Sequence, residues 1–354
     1  MKGGSLEGDG RYGCVFKPAL QCKKKTRNKN TNIGKLTDPL DAYNELAIAK
    51  YLNSIPDSKK YTVFAREESC IPEEYTKQKE KELSHCHIIQ DGSLDKTIQL
   101  FMPWGGVPIS KLNIHPSTFS FFVFFERILE AGAFLVLHKV CHFDISLQNI
   151  LINSQNIPRF IDFGFSFISS QLQSSDLKKL YREFTYDHDV ESPEITLLLA
   201  ARKGIPTEIS IQGLQREKPA VQRLAVFCGV STNTWANDLR EWSTQSTLFK
   251  SKEWFSLFQR YWSGIDSWSL GAVLLVLLEM QMQFPQFLNS DEWKEKGHLV
   301  QTLLQHICHG NPRKRFDMAE ALYLFTNGSH SFFSSNGGFS WISEKRKIRL
   351  SLPS

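Results

Sequence analysis

Between His142 and Gly164 stand two carboxylates and an amide at spacings that suit phosphoryl transfer. His142-Phe143-Asp144-Ile145-Ser146-Leu147-Gln148-Asn149 is a polar loop, and Ile150-Leu151-Ile152 is a β-rich apolar run. Turn residues follow from Asn153 to Pro158, and Arg159-Phe160-Ile161 leads back to Asp162-Phe163-Gly164. Asp144, Asn149 and Asp162 are therefore expected at the ends of two paired strands, where a rigid scaffold can hold oxygen ligands close together. An acid to orient an attacking hydroxyl, with oxygen donors for Mg²⁺, is what transfer of a phosphoryl group from ATP requires. An Asp near an Asn in a loop is by itself usually a turn. The rest of the chain has to supply the other parts.

Several elements upstream do so. Gly8, Gly10 and Gly13, followed by Val15 and Phe16, suit a strand–turn–strand flap whose backbone can close over phosphates and offer N–H donors. A Rossmann turn would need a helix directly after the glycines, whereas Val15-Phe16-Lys17-Pro18 reads as a strand and then a break. The basic stretch Lys23-Lys24-Lys25, Arg27, Lys29 is read as a solvated loop, with docking of an acidic substrate as the minority reading. Thr31 to Leu36 reads as a strand carrying Lys35. Asp38-Pro39 starts a helix whose Glu45 can reach back to Lys35 and hold it for the α- and β-phosphates. Thr97 to Met102 is a further strand. It runs into Pro103-Trp104-Gly105-Gly106, a hinge with backbone groups free to bond an adenine edge.

Downstream, Thr118 to Val140 has apolar residues at helical spacing and delivers the chain to His142, read as a packed structural residue rather than a base. Ser169 to Asp189 is polar and closes at Ser192-Pro193-Glu194. From Gly264 a helix opens that is apolar on every face through Leu278, with Asp266 at its N-terminus as a cap able to bond the His142–Asp144 loop. Residues 195–263 form an insertion containing helices at Ala220–Phe227 and Trp235–Trp242. A docking subdomain and a plain extension of the fold are equally good readings of it. Asn311 to Asp317 precedes a short helix, Met318 to Phe325, and residues 326–354 are expected to be a peripheral tail.

Composition sets the outer bounds. The chain has 354 residues, 41% of them hydrophobic and 22% charged, enough for one large or two modest cores. A net charge of +5 is too weak to argue for nucleic acid as a partner. Met1 to Gly10 lacks an apolar segment, so no secretory leader is expected, and the longest apolar runs are too short to cross a membrane. Seven cysteines without paired spacing suggest neither a disulfide framework nor a zinc site, and favour a reducing compartment. His85-Cys86-His87 is read as a strand edge with incidental histidines rather than as metal ligands.

Taken in order, these pieces resemble the eukaryotic-type serine/threonine protein kinase superfamily over roughly Gly8 to Phe325. Tyr12-Gly13-Cys14-Val15-Phe16-Lys17-Pro18, Phe143-Asp144-Ile145-Ser146 and Met102-Pro103-Trp104-Gly105-Gly106 are most similar to the divergent kinases of large cytoplasmic DNA viruses. The resemblance implies an α+β, bilobal fold: an N-lobe over residues 1–103 and a C-lobe over 104–325. It implies ATP and Mg²⁺ as cofactors, protein substrates, and a cytoplasmic setting, that of a host cell or virion for a viral protein. It assigns Gly8, Gly10, Gly13, Val15 and Met102 to the nucleotide, Lys35 to the phosphates and Glu45 to the ion pair. Asp144 becomes the catalytic base, and Asn149 and Asp162 the Mg²⁺ ligands. Glu194 would pair with Arg315.

Two positions depart from the family pattern. Phe143 replaces an arginine that commonly binds an activation-loop phosphate, which implies activity without such phosphorylation. Ser146 stands where a lysine usually faces the γ-phosphate, so one cationic contact is missing or comes from elsewhere. The serine also suits a small-molecule phosphotransferase of the aminoglycoside or choline kinase type, and it leaves open a nucleotide-binding pseudokinase scaffold. The glycine flap and the Ser192-Pro193-Glu194 and Asp266 elements argue against the former. Intact Lys35, Asp144, Asn149 and Asp162 argue against the latter.

Overall fold

Alternation along two neighbouring strands explains how the first part of the chain builds a sheet. The computed structural model describes residues 4–10, 13–24, 33–89 and 94–350. Arg11 and Tyr12 of the flap, Lys25 to Lys29 of the basic stretch, and Thr31 and Asn32 at the expected start of the Lys35 strand lie outside the described residues. Strands β1 (Ser5–Gly10), β2 (Gly13–Lys17), β3 (Ile33–Thr37), β4 (Ser69–Cys70) and β5 (Ile98–Met102) form one antiparallel sheet in the order β1-β2-β3-β5-β4. Cys14 stands opposite Leu36, while Val15 stands opposite Lys35, which in turn faces Leu100. Because side chains alternate between faces, Cys14, Phe16 and Leu36 enter a core with Leu20, Leu83, Cys86 and Leu94, and Val15 and Lys35 share the other face.

Helix α1 (Pro39–Asn53) follows β3. The Asp38 side chain accepts from the backbone N–H groups of Leu40 (2.8 Å) and Asp41 (3.1 Å), and Pro39 occupies the first helical position, where no N–H is needed. Of two disulfides, Cys14–Cys86 ties β2 to the turn segment around residue 86, and Cys22–Cys70 ties the stretch after β2 to β4. This corrects the expectation of seven reduced cysteines; only Cys141, Cys228 and Cys308 are free thiols. It also corrects the reading of His85-Cys86-His87 as a strand edge. The segment forms turns, with Cys86 buried in its bridge.

The chain divides into two compact units. The first is Met1–Gly106 with Leu151–Ser154 and Arg159–Ser166, and the second is Val107–Ile150, Gln155–Pro158 and Phe167–Ser354. A contiguous break after residue 103 therefore gives way to an interleaved one: the stretch bearing Asp162 packs with the Lys35 sheet. The hairpin strands form at Ile150–Ile152, as the apolar run predicts, and at Pro158–Phe160, one residue before the expected Arg159–Ile161. The fold is mixed α+β, and the second unit is mainly helical.

Within the second unit, helix α2 (Phe121–Leu137) buries nearly every face. Helix α3 (Trp254–Met282) is 29 residues long and starts well before Gly264. Asp266 consequently lies in its interior and is not a cap; the aromatic run Trp254–Trp262, read as part of the insertion, is the helix's opening. Helix α3 is long and apolar enough to cross a membrane, but its most apolar window is 83% buried within the protein, as a central core helix requires. The insertion folds into helices Pro193–Arg202, Thr207–Glu217, Pro219–Cys228 and Thr232–Gln245, and Trp235 and Trp242 are fully buried. The tail is not peripheral either. Phe332 and Phe333 are buried, and Trp341 Nε1 donates to Asp317 Oδ2 (2.9 Å).

Candidate functional site

In the first unit, three of the expected residues meet at one atom. Lys35 Nζ lies 2.7 Å from Glu45 Oε2 and 2.6 Å from Asp162 Oδ1. Strand β3 turns Lys35 toward the face it shares with Val15, and α1 places Glu45, fully buried, against it. Burial alone would lower the Lys35 pKa, but Asp162 and then Glu45 more than offset this and raise it, so the side chain is an ammonium. Asp162 holds a left-handed backbone conformation (φ 66°), uncommon for a residue with a side chain. Its turn is held from α1: Asn44 Nδ2 donates to Gly164 O (2.6 Å) and Ser166 O (3.2 Å). Asn44 had no motif to announce it.

The glycine flap is the β1–β2 hairpin. Gly8 stands opposite Val15, and Gly10 opposite Gly13. A Cβ on Gly13 would come within 2.5 Å of Leu36 O, so strand packing itself demands glycine there. Among the described residues, a Cβ on Gly8 would meet no atom within 4 Å. Met102 ends β5 opposite Ile33 and is buried; Pro103 to Gly106 continue without regular structure, and Gly106 takes a φ of 133° open chiefly to glycine.

The second unit carries the other expected pair. Asn149 Nδ2 donates to both the backbone O and Oδ2 of Asp144 (2.9 Å each). With the amide nitrogen committed to Asp144, the oxygen is the atom Asn149 offers outward. That amide oxygen in the second unit and the Asp162 carboxylate in the first are each hard oxygen donors of the kind Mg²⁺ takes. His142 is fully buried and its Nδ1 accepts from Asp144 N (3.3 Å), a structural role as expected. The loop is held from α3: Asp266 Oδ2 accepts from His142 N (2.5 Å), and Oδ1 accepts from Phe143 N (2.8 Å).

Two further contacts lie within the second unit. Arg315 and Glu194, both fully buried, form a two-pronged ion pair at 2.7 and 2.8 Å. Arg182, which sequence reasoning passed over inside a polar segment, places Nη1 3.0 Å from Asp144 Oδ1 and donates from Nη2 to Phe143 O (2.5 Å). Comparisons with protein-family models and with curated proteins give no match for this chain.

Proposed function

We propose that this protein is an ATP- and Mg²⁺-dependent serine/threonine protein kinase, its first and second units corresponding to the N- and C-lobes of a bilobal protein-kinase-like fold. The observation that carries the reading is the Lys35 ammonium held between Glu45 and Asp162 at 2.7 and 2.6 Å. A buried lysine fixed by two acids, on the face of a sheet whose edge is a glycine hairpin, suits the α- and β-phosphates of a nucleotide. The Glu194–Arg315 pair and the Asp266 bonds to the Asp144 loop support a protein kinase over a small-molecule phosphotransferase, since the resemblance ties both elements to the former.

In this reading Asp144 orients a substrate hydroxyl and takes its proton as the oxygen attacks the γ-phosphorus. The bond to the bridging oxygen breaks and ADP leaves. Asn149 and Asp162 are the residues that would hold Mg²⁺, which would screen the phosphate charge when bound. The test is transfer of labelled phosphate from ATP–Mg²⁺ to generic protein substrates. Transfer to protein is expected, with losses on the order of 10²-fold or more in Asp144→Asn and Lys35→Met. Transfer confined to small molecules, or nucleotide binding without transfer, overturns the assignment.

A further inference from the structure

We propose that Arg182 supplies, from the segment following Asp162, the catalytic cation that the loop itself lacks at Ser146. The proposal rests on the phosphotransferase reading above and deepens it.

The catalytic loop from His142 to Asn149 contains no lysine or arginine, although charge gathers on the transferred phosphoryl group just where Asp144 must act. Arg182 fills that gap in space. Its side chain is 8% exposed, and its guanidinium lies 3.0 Å from Asp144 Oδ1. The same guanidinium donates to Phe143 O (2.5 Å) and packs over the Phe143 ring, 5.1 Å from the centroid. Phe143 itself packs with Phe167 and Phe258 in a cluster of three mutually contacting rings. The short helix Leu177–Leu180, with both leucines buried, fixes the chain just before Arg182. A rigid planar cation with five donors can hold Asp144 and Phe143 O and still present an N–H edge to a phosphate oxygen.

The contact leaves Asp144 able to work. Arg182 binds Oδ1 and Asn149 binds Oδ2, yet each carboxylate oxygen accepts more than one hydrogen bond, and the side chain remains 20% exposed. The polarity is also informative. Where a loop arginine would need a phosphate on the segment, this chain puts the arginine on the segment and an aromatic ring, a carbonyl and a carboxylate on the loop. The two are joined without any modification.

The experiment compares four proteins, each checked for an unchanged melting transition: the parent, Arg182→Ala, Arg182→Lys, and Arg182→Ala combined with Ser146→Lys. Steady-state transfer is expected to fall on the order of 10²-fold in kcat for Arg182→Ala, with KM for ATP changed less than about threefold. Arg182→Lys should retain part of kcat, and the added lysine at 146 should restore about tenfold or more, which a merely structural role for Arg182 would not allow. Unchanged or increased turnover in Arg182→Ala overturns the proposal, an increase marking the contact as a plug. Loss without recovery by Ser146→Lys overturns it as well. No Asp144-dependent transfer by the parent overturns the phosphotransferase reading itself, and the role of Arg182 with it.

Discussion

Asp266 fixes the backbone of the His142–Asp144 loop with two carboxylate oxygens, one for each N–H of His142 and Phe143. The loop needs such a clamp, because Phe143 is held at φ 63°, a conformation that costs a bulky residue on the order of 1–3 kcal/mol. Burial raises the Asp266 pKa, against which His142 and the two N–H bonds pull it down. In Asp266→Asn one buried N–H would face an amide NH₂ instead of an oxygen, at a cost of roughly 1–3 kcal/mol. The expected outcome is a lower denaturation midpoint and a lower kcat, with KM for ATP nearly unchanged because Lys35 and its partners belong to the first unit. Residues of this kind were legible in the sequence where a motif offset ties them to chemistry. Lys35 and Asp162 are 127 positions apart, yet each was named from its own local pattern. Arg182 was not, since no local rule links a position in a polar segment to Phe143, 39 residues earlier.

Elements were legible where periodicity is strong and misread where a constraint acts across the chain. The hairpin, α1 and α2 follow from apolar spacing and capping. The start of α3 was missed because its opening turns carry aromatic and polar residues, so only the fully buried part announced itself. The disulfides were invisible for a related reason: they close separations of 72 and 48 residues, with no short Cys spacing to mark them. Each should stabilise the first unit by about 2–4 kcal/mol, so reduction is expected to lower its denaturant midpoint. The bridges can be read directly. Alkylation of unfolded, unreduced protein should label three thiols, and alkylation after reduction seven. Cys14 is adjacent to Gly13 in the flap, so Cys14→Ser with Cys86→Ser should also raise KM for ATP. The pair Cys22→Ser and Cys70→Ser, away from the flap glycines, should reduce stability alone. Equal effects on KM from both pairs would show that the flap is not held through Cys14.

For the molecule as a whole, one departure from an ordinary apolar core is Lys218, fully buried between the helices Thr207–Glu217 and Pro219–Cys228. Its Nζ donates to His188 O (2.7 Å), and Glu191 and Asp189 lie near enough to favour its charge. Burial still wins, lowering its pKa from 10.5 to about 8. Below about pH 8 the lysine is protonated in both the folded and the unfolded chain, and the penalty for burying the charge is fully present. Between that point and 10.5 the unfolded chain binds more protons, so this group makes stability rise with pH. The whole shift corresponds to a change on the order of 3 kcal/mol. Lys218→Met keeps the volume and removes the titration. Chemical denaturation of both proteins between pH 7.5 and 10.5 should therefore show the parent gaining stability relative to the variant as pH rises. A constant difference across that range would place the ammonium in water rather than in the core. The comparison reads out Lys218 together with the two carboxyls whose pKa values it pulls down, Glu191 and Asp189.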